Sequence, residues 1–125
     1  MTIFQILLML FLHIVDDYAL QSFWLSNGKQ KKWWQLHAPD PFYKNDYLMA
    51  LAMHSLSWSF MIMIPVAWSK NFDVGLLFVV TFFINALIHG TVDHLKANKH
   101  MLNLIQDQMI HIIQIMVTAS IFIIF

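Results

Sequence analysis

The chain has 125 residues, of which 59% are hydrophobic and only 11% are charged, and its formal net charge is zero. A soluble domain of this length needs a more polar surface, so the apolar excess has to face something other than water, and lipid is the simple candidate. The balanced charge gives no reason to expect a nucleic-acid partner. Because the chain has no cysteine, disulfides and thiolate zinc sites are both excluded.

Four apolar segments are long enough to be transmembrane helices. A bilayer core requires about 20 mostly apolar residues per helix, and the segments at about 2–25, 47–68, 74–96 and 102–125 meet that length. None of them alternates with a period of two, which favours helices over strands. The sequence therefore predicts an all-α fold, a four-transmembrane-helix bundle that forms a single membrane domain over residues 1–125. We expect the first segment to persist in the mature protein, because no positive region precedes it and no cleavage site follows.

The segment between the first two spans is about 20 residues long and mixes lysine with aromatic residues, a composition that suits the lipid headgroup region. Pro39 and Pro41 lead us to expect an irregular interfacial loop here, either an aromatic belt or a lid over a site. Lysine placement predicts the orientation, because cytoplasmic loops are rich in lysine. Lys70 is the one lysine on the far side, and the near side carries Lys29, Lys31, Lys32, Lys44, Lys96 and Lys99. We therefore expect a bacterial cytoplasmic (inner) membrane protein with both termini outside.

Polar side chains recur three or four residues apart within each predicted span, which places them on one face of each helix. These stripes are His13, Asp17 and Gln21; His54 and Ser57; Asn85, His89, Asp93 and Lys96; and Asn103, Asp107, His111, Gln114 and Thr118. Counted from the inner end of each span, the histidines and aspartates fall in a layer about 10–12 Å deep at 1.5 Å per residue. We therefore expect the four stripes to meet at one level in the inner half of the membrane.

The cost of burying charge indicates that this layer is compensated. One aspartate near the middle of a span costs about 2.5–3.5 kcal/mol, so three unpaired ones cost on the order of 10 kcal/mol. A small bundle has no such surplus of stability. The groups must therefore face the bundle interior, where protonation, hydrogen bonds, water or a cation compensates them.

A divalent metal is the compensation that these residue types favour, with zinc first and iron or manganese as alternatives. The candidate ligands are His13, Asp17, His54, His89, Asp93, Asp107 and His111. Because seven exceeds the four ligands of a tetrahedral site, either some of these groups orient the ligand imidazoles or two metals share the cage. Two metal-free alternatives stay open. The layer can be a proton or ion relay, or a hydrogen-bonded network that fixes helix register.

Four further groups are expected to play lesser parts. Asp16 lies beside the first stripe and either supports a ligand or faces water. His94 points about 140° from His89 around the helix, so it is not expected to be a ligand. His37 and His100 belong to interfacial loops, where we expect solvated side chains.

The polar motifs occur in a specific order along the chain: H-x3-D-x3-Q, a single His, H-x3-D-x2-K and D-Q-x2-H. In this order they resemble the DUF3307 family of small bacterial and phage membrane proteins of unassigned function. The resemblance is carried by His13, Asp17, Gln21, His54, His89, Asp93, Lys96, Asp107, Gln108 and His111. It implies that the polar layer is a site, and it does not name a reaction.

The activity that the sequence favours is metal-assisted hydrolysis of a lipid-linked or amphipathic substrate by a metal-activated water. Asp17, Asp93 or Asp107 is the expected base, and Lys96 either reaches the headgroups or steadies an anionic group of the substrate. Membrane lipid or a lipid-linked molecule is the expected partner, and a homodimer is compatible with four short spans. The alternatives are a proton-conducting, ion-conducting or transport subunit and a non-enzymatic membrane interaction protein. The apolar stretch QILLMLFL in the first span argues against a continuous polar path.

Overall fold

The computed structural model describes residues 1–124, and all regular structure within that range is helical, which confirms the predicted all-α class. The α-helices are α1 (Ile3–Ile14), α2 (Phe23–Gly28), α3 (Lys31–His37), α4 (Asp46–Ser69), α5 (Leu76–Ala97) and α6 (Leu104–Ile124). Four segments are long and apolar enough to cross a membrane: Ile3–Leu20, Pro41–Ser69, Leu76–Ala97 and Leu104–Ile124. These four segments confirm the predicted bundle of four spans. The last residue of the fourth predicted span, Phe125, lies outside the described residues.

The first span ends near Leu20, whereas the sequence predicted that it would reach about residue 25. Its N-terminus is fixed by a capping box, in which the Thr2 hydroxyl accepts a hydrogen bond from the Gln5 backbone and the Gln5 side chain accepts one from the Thr2 backbone. After α1 the chain continues as a π-helical segment, Val15–Leu20, whose wider turn closes with a bond from the Gln21 backbone N–H to the Asp16 carbonyl. Such widened turns occur often at functional sites.

The widened turn brings two consecutive acidic residues towards the bundle interior. Asp16 is only 1% exposed, and Asp17 is half-buried beside it. Of the two expectations for Asp16, the water-facing one is therefore wrong. In an ordinary α-helix two adjacent side chains point about 100° apart. A four-residue spacing of polar residues therefore does not predict that Asp16 and Asp17 both face the interior.

The loop between the first two spans is not irregular, as the prolines had suggested, because it contains α2, α3 and a short 3-10 turn at Pro41–Tyr43. The prediction was wrong since both prolines come after α3 has ended and therefore separate short helices instead of preventing them. The Ser22 hydroxyl caps α2, and the Trp34 indole N–H donates to the Gly28 carbonyl at 2.8 Å. The loop is thus folded back on itself by specific contacts.

The bundle is apolar at one end and polar at the other. The buried hydrophobic cluster lies towards the N-terminus of α1 and the C-terminal halves of α4 and α6, and it consists of Met9, Trp58, Ile62, Met63, Val66, Ile115, Ala119 and Phe122. Most large apolar side chains elsewhere on the long helices are exposed, as suits helices that face lipid. Gly90 lets α5 approach α4 closely, since a Cβ at this position would lie 2.6 Å from the Ser55 hydroxyl oxygen. The polar layer lies at the loop end, next to α2 and α3.

Candidate metal centre

Four predicted ligands converge at the centre of the polar end, contributed by the first span, α4 and α5. The Nε2 atom of His54 lies 3.4 Å from Asp17 Oδ1 and 3.5 Å from Asp93 Oδ2. The Nε2 atom of His89 lies 4.0 Å from Asp17 Oδ1 and 3.8 Å from Asp93 Oδ2. Each of the two imidazole nitrogens therefore lies within 4.0 Å of one oxygen atom of each carboxylate. Asp17, His54 and His89 form a group whose ligand atoms lie close enough together to hold a metal ion.

The four nitrogen–oxygen separations can be compared with those of a tetrahedral metal site. With metal–ligand distances of about 2.0–2.1 Å, two ligands of a tetrahedral zinc ion lie about 3.3 Å apart. The four observed separations of 3.4–4.0 Å are slightly wider than this value. Two of the atoms, Asp17 Oδ1 and His89 Nε2, are buried and have no hydrogen-bond partner among the described residues. Buried polar atoms are rarely left unpaired, so the residues present fit a metal ion.

The other ring nitrogen of His54 faces a supporting carboxylate. His54 Nδ1 lies 3.5 Å from Asp16 Oδ2, and Asp16 Oδ1 accepts a hydrogen bond from the Ser57 hydroxyl at 2.5 Å. A carboxylate behind a metal-binding imidazole fixes the ring and puts the proton on the far nitrogen. This arrangement leaves the Nε2 lone pair of His54 directed at the centre. Asp16 therefore lies where it could support a ligand, the first of the two roles expected from the sequence.

His13 is a predicted ligand that the structure places outside the group. An indole N–H can only donate, so the 2.7 Å contact from Trp58 Nε1 makes His13 Nδ1 an acceptor. The proton of neutral His13 then lies on Nε2, which is 3.1 Å from Gln108 Oε1. Gln108 in turn donates to Asp17 Oδ2 at 3.2 Å and to Asp107 Oδ2 at 3.1 Å. Both nitrogens of His13 are engaged, and the chain of bonds positions Asp17 with its Oδ1 atom turned to the centre.

A hydrogen bond between His89 and His111 decides how many metal ions the cluster can hold. The two Nδ1 atoms lie 3.2 Å apart, so when both rings are neutral one of them donates to the other. The accepting ring must carry its own proton on Nε2, and only the donating ring keeps an Nε2 lone pair. One of these two histidines can therefore ligate a metal in this geometry. The group of His89, Asp93 and His111 also has suitable spacing, but it would need both lone pairs.

His111 and the remaining predicted residues form the outer side of the cluster. His111 Nε2 lies 3.6 Å from Asp93 Oδ1 and 3.5 Å from Asp107 Oδ1. A proton on this nitrogen would therefore lie near both carboxylate oxygens. Lys96 Nζ lies 2.6 Å from Asp107 Oδ2, so Asp107 is bound to an ammonium group. These contacts place His111 behind Asp93 and Lys96 at the edge of the polar layer.

Lys29 enters the cluster from the loop, and no sequence pattern predicted it there. The residue follows α2 and is only 8% exposed. Its ammonium group donates to Asp93 Oδ2 at 2.6 Å and to Gln21 Oε1 at 2.6 Å. Asp93 Oδ2 therefore lies between the Lys29 ammonium and the two imidazoles, within reach of both.

The charges of the cluster match one divalent cation. Four carboxylates lie in it, those of Asp16, Asp17, Asp93 and Asp107, against the two ammonium groups of Lys29 and Lys96. With neutral histidines this leaves two negative charges, and buried charge must be balanced. A single divalent ion supplies that balance, whereas two such ions would overcompensate it.

Two residues that support the site were missed by the sequence analysis. Trp58 donates to His13 and also stacks on the His89 ring, with centroids 4.2 Å apart. Its position four residues after His54 puts both on one face of α4, so this signal was available. Lys29 had no such signal, because its burial depends on how the loop folds. The histidines outside the cluster follow expectation: His37 and His100 are exposed, and His94 stacks on Tyr47 instead of joining the ligands.

Replacing Trp58 by Phe should weaken metal binding without removing a ligand. The change deletes the N–H that fixes the His13 tautomer, so the chain of bonds to Asp17 loses its defined direction. Loss of such an outer partner typically lowers metal affinity by about 10–100-fold. Zinc titration against a chelating indicator measures the change. Trp68→Phe, at the opposite end of α4, is the matched control, and equal affinities for both variants would contradict the assigned role.

The fold and the cluster together define an all-helical protein with four helices of membrane-spanning length and buried His/Asp groups that could hold a metal ion. No family model matches the chain, and no curated protein or solved structure matches it either.

Proposed function

We propose that the chain is an integral membrane protein that binds one divalent metal ion, zinc in the first place, in the polar end of its bundle. His54 and His89 supply nitrogen ligands through Nε2, and Asp17 and Asp93 supply oxygen ligands. His111, Asp16 and His13 orient these ligands through the contacts described above. Iron and manganese also accept such a ligand set.

One observation carries this proposal. The buried Asp17 Oδ1 and His89 Nε2 atoms, like four other buried polar atoms, have no hydrogen-bond partner among the described residues, and both lie within 4.0 Å of one another and near His54 Nε2. A network whose purpose was only to fix helix register would be expected to pair these atoms with each other at hydrogen-bonding distance. Their separation of 4.0 Å exceeds that distance and suits two ligands of one ion.

The reaction we propose is hydrolysis of a lipid-linked or amphipathic substrate. A divalent ion in such a site supplies a water acidic enough to act as a nucleophile near neutral pH, but catalysis requires an open ligand position. Asp93 can provide that position because its Oδ2 atom is shared between the metal point and the Lys29 ammonium. When Asp93 stays with Lys29, the fourth position is free and a carboxylate lies beside it to accept a proton.

A conducting subunit receives less support from the described residues. Beyond the proposed metal ligands, Asn85, Gln114 and Thr118 bond to one another at 2.9–3.1 Å and form a closed hydrogen-bonded cluster. The apolar cluster around Trp58 and Ile62 lies beside them, since its Met63 sulfur contacts Asn85 Nδ2 at 3.8 Å. We also propose, from the sequence, that the protein lies in the inner membrane with both termini outside. DUF3307 membership and a homodimer are further parts of this proposal.

The metal is tested by zinc titration of the detergent-purified full chain and of two histidine variants. We expect one zinc ion per wild-type chain and at least about a 100-fold loss of affinity in His54→Ala, since a direct ligand matters more than an outer partner. His37→Ala removes an exposed histidine and should bind zinc as the wild type does. Equal zinc binding by His54→Ala would overturn the site.

The reaction is tested without knowing the substrate. Zinc-loaded protein is incubated with a bacterial membrane lipid extract in water enriched in oxygen-18, and products that carry the label are detected by mass spectrometry. Labelled products should appear with the wild type and not with His54→Ala. If zinc binds as expected and no labelled product forms, the metal site stands and hydrolysis of a membrane lipid is contradicted.

A further inference from the structure

Another concave region lies on the outer surface of α4 and α5, away from the proposed metal ligands. Two cavities meet there and share Tyr47 and His94. The first is an apolar groove of about 630 Å³ between the two helices, and the second is a polar pocket of about 400 Å³ at their loop end. His94 points about 100° away from Asp93 around α5, so this surface does not include the metal ligands.

The polar pocket is basic. Three lysines line it, Lys31 and Lys32 from α3 and Lys99 from the turn after α5, and none of its lining residues within the described chain is acidic. All three lysines are exposed, and no ion pair holds them among the described residues. They differ in this from Lys29 and Lys96, whose ammonium groups are bound to carboxylates.

The pocket is held in shape by contacts between the loop and α5. Asn98 accepts a hydrogen bond from the Lys31 backbone N–H at 2.7 Å and donates to the Lys29 carbonyl at 2.9 Å. The Tyr47 ring stacks on His94 where the two cavities meet. These bonds fix the lysine-bearing helix against the end of α5, so the basic groups are placed before any ligand arrives.

The groove has the length of one bilayer leaflet. It extends along α4 from Tyr47 to Leu56 and along α5 from His94 to Phe83. At 1.5 Å per residue this is about 14–16 Å, and half of a hydrocarbon core of about 30 Å is 15 Å. A ligand whose charged group sat in the polar pocket would therefore have one acyl chain alongside the groove down to the middle of the membrane.

We propose that this surface binds an anionic phospholipid, with its phosphate-bearing headgroup between Lys31, Lys32 and Lys99 and one acyl chain in the groove between α4 and α5. Basic pockets next to transmembrane helices recognise anionic headgroups in this way. The site is separate from the proposed metal centre, and it requires only that the four long helices lie in a membrane.

The test compares lipids on the delipidated full chain in detergent, with bound lipid counted by native mass spectrometry. We expect phosphatidylglycerol to bind at least tenfold more tightly than phosphatidylcholine of the same chain length. The triple variant Lys31→Gln, Lys32→Gln, Lys99→Gln should remove this preference, and Lys70→Gln at the opposite end should keep it. Equal binding of the two lipids by the wild type would overturn the proposal.

Two further measurements distinguish lipid binding from the binding of a free anion and from binding at the proposed metal centre. Ala52→Phe fills the groove and should weaken phosphatidylglycerol binding, whereas Met53→Phe, outside the groove lining, should not. Should Ala52→Phe fail to fold by circular dichroism, Ala52→Leu replaces it. Inorganic phosphate that displaces the lipid fully, together with no effect of the groove variant, would show an anion pocket and contradict the lipid site. Saturating zinc should leave lipid binding by the wild type unchanged.

Discussion

Lys29→Met is expected to destabilise the metal-free protein and to strengthen its metal binding. Removing the ammonium leaves Asp93 as an unpaired buried carboxylate, and breaking a buried ion pair costs about 3–5 kcal/mol of unfolding free energy. The same change removes a positive charge from beside the metal point and frees a lone pair of Asp93 Oδ2. Since two unit charges about 4 Å apart interact by about 4 kcal/mol near a protein surface, zinc affinity should rise at least about tenfold.

Unfolding in denaturant, with and without saturating zinc, measures both effects of Lys29→Met. Zinc should restore most of the lost stability, because the ion takes over the role of the ammonium. Lys44→Met removes an exposed lysine from the same loop and should change neither quantity. If Lys29→Met bound zinc no more tightly than the wild type and zinc did not stabilise it, the cluster would be a structural network.

Asp93→Asn is expected to have the opposite effect on metal affinity. The amide leaves Lys29 as an unpaired cation in the interior, so the unfolding free energy should again fall by about 3–5 kcal/mol. The variant also loses an anionic ligand that faces both His54 and His89. Zinc affinity should therefore drop at least about 100-fold, and zinc should not restore the stability.

The matched control for Asp93→Asn is Asp73→Asn, an exposed aspartate between α4 and α5. This control should leave zinc affinity and unfolding free energy close to those of the wild type. Both Asp93→Asn and Lys29→Met break the same ion pair, so their opposite zinc affinities separate a metal site from a simple salt bridge. If the two variants weakened zinc binding equally, Asp93 would not be a ligand.

The fold could be predicted from the sequence because apolar length and helical spacing are local properties. Four runs of about 20 apolar residues define four spans, and polar residues at intervals of three or four define the face that each span turns inward. This reasoning predicts that His54, His89, Asp17 and Asp93 lie close together. It could not tell which of the seven predicted groups lie at the centre, because depth along a helix does not determine hydrogen-bond partners.

The rest of the cluster depended on tertiary contacts that spacing does not encode. The π-helical turn at Val15–Leu20 brings Asp16 inward next to Asp17, and no pattern of fours anticipates a widened turn. Lys29 counts as a loop cation in the sequence, yet the folding of α2 against α4 buries it beside Asp93. The two ring nitrogens of His13 contact the Trp58 indole and the Gln108 amide, and neither contact follows from helical spacing.

X-ray absorption spectroscopy of the zinc-loaded full chain tests the central claim most directly. The account predicts about four nitrogen or oxygen ligands at about 2.0–2.1 Å, with the scattering pattern of two imidazole rings from His54 and His89. A first shell without imidazole would contradict the ligand set. A second metal at about 3.5–4 Å, the separation in two-metal sites, would contradict the single ion that the shared His89–His111 proton requires.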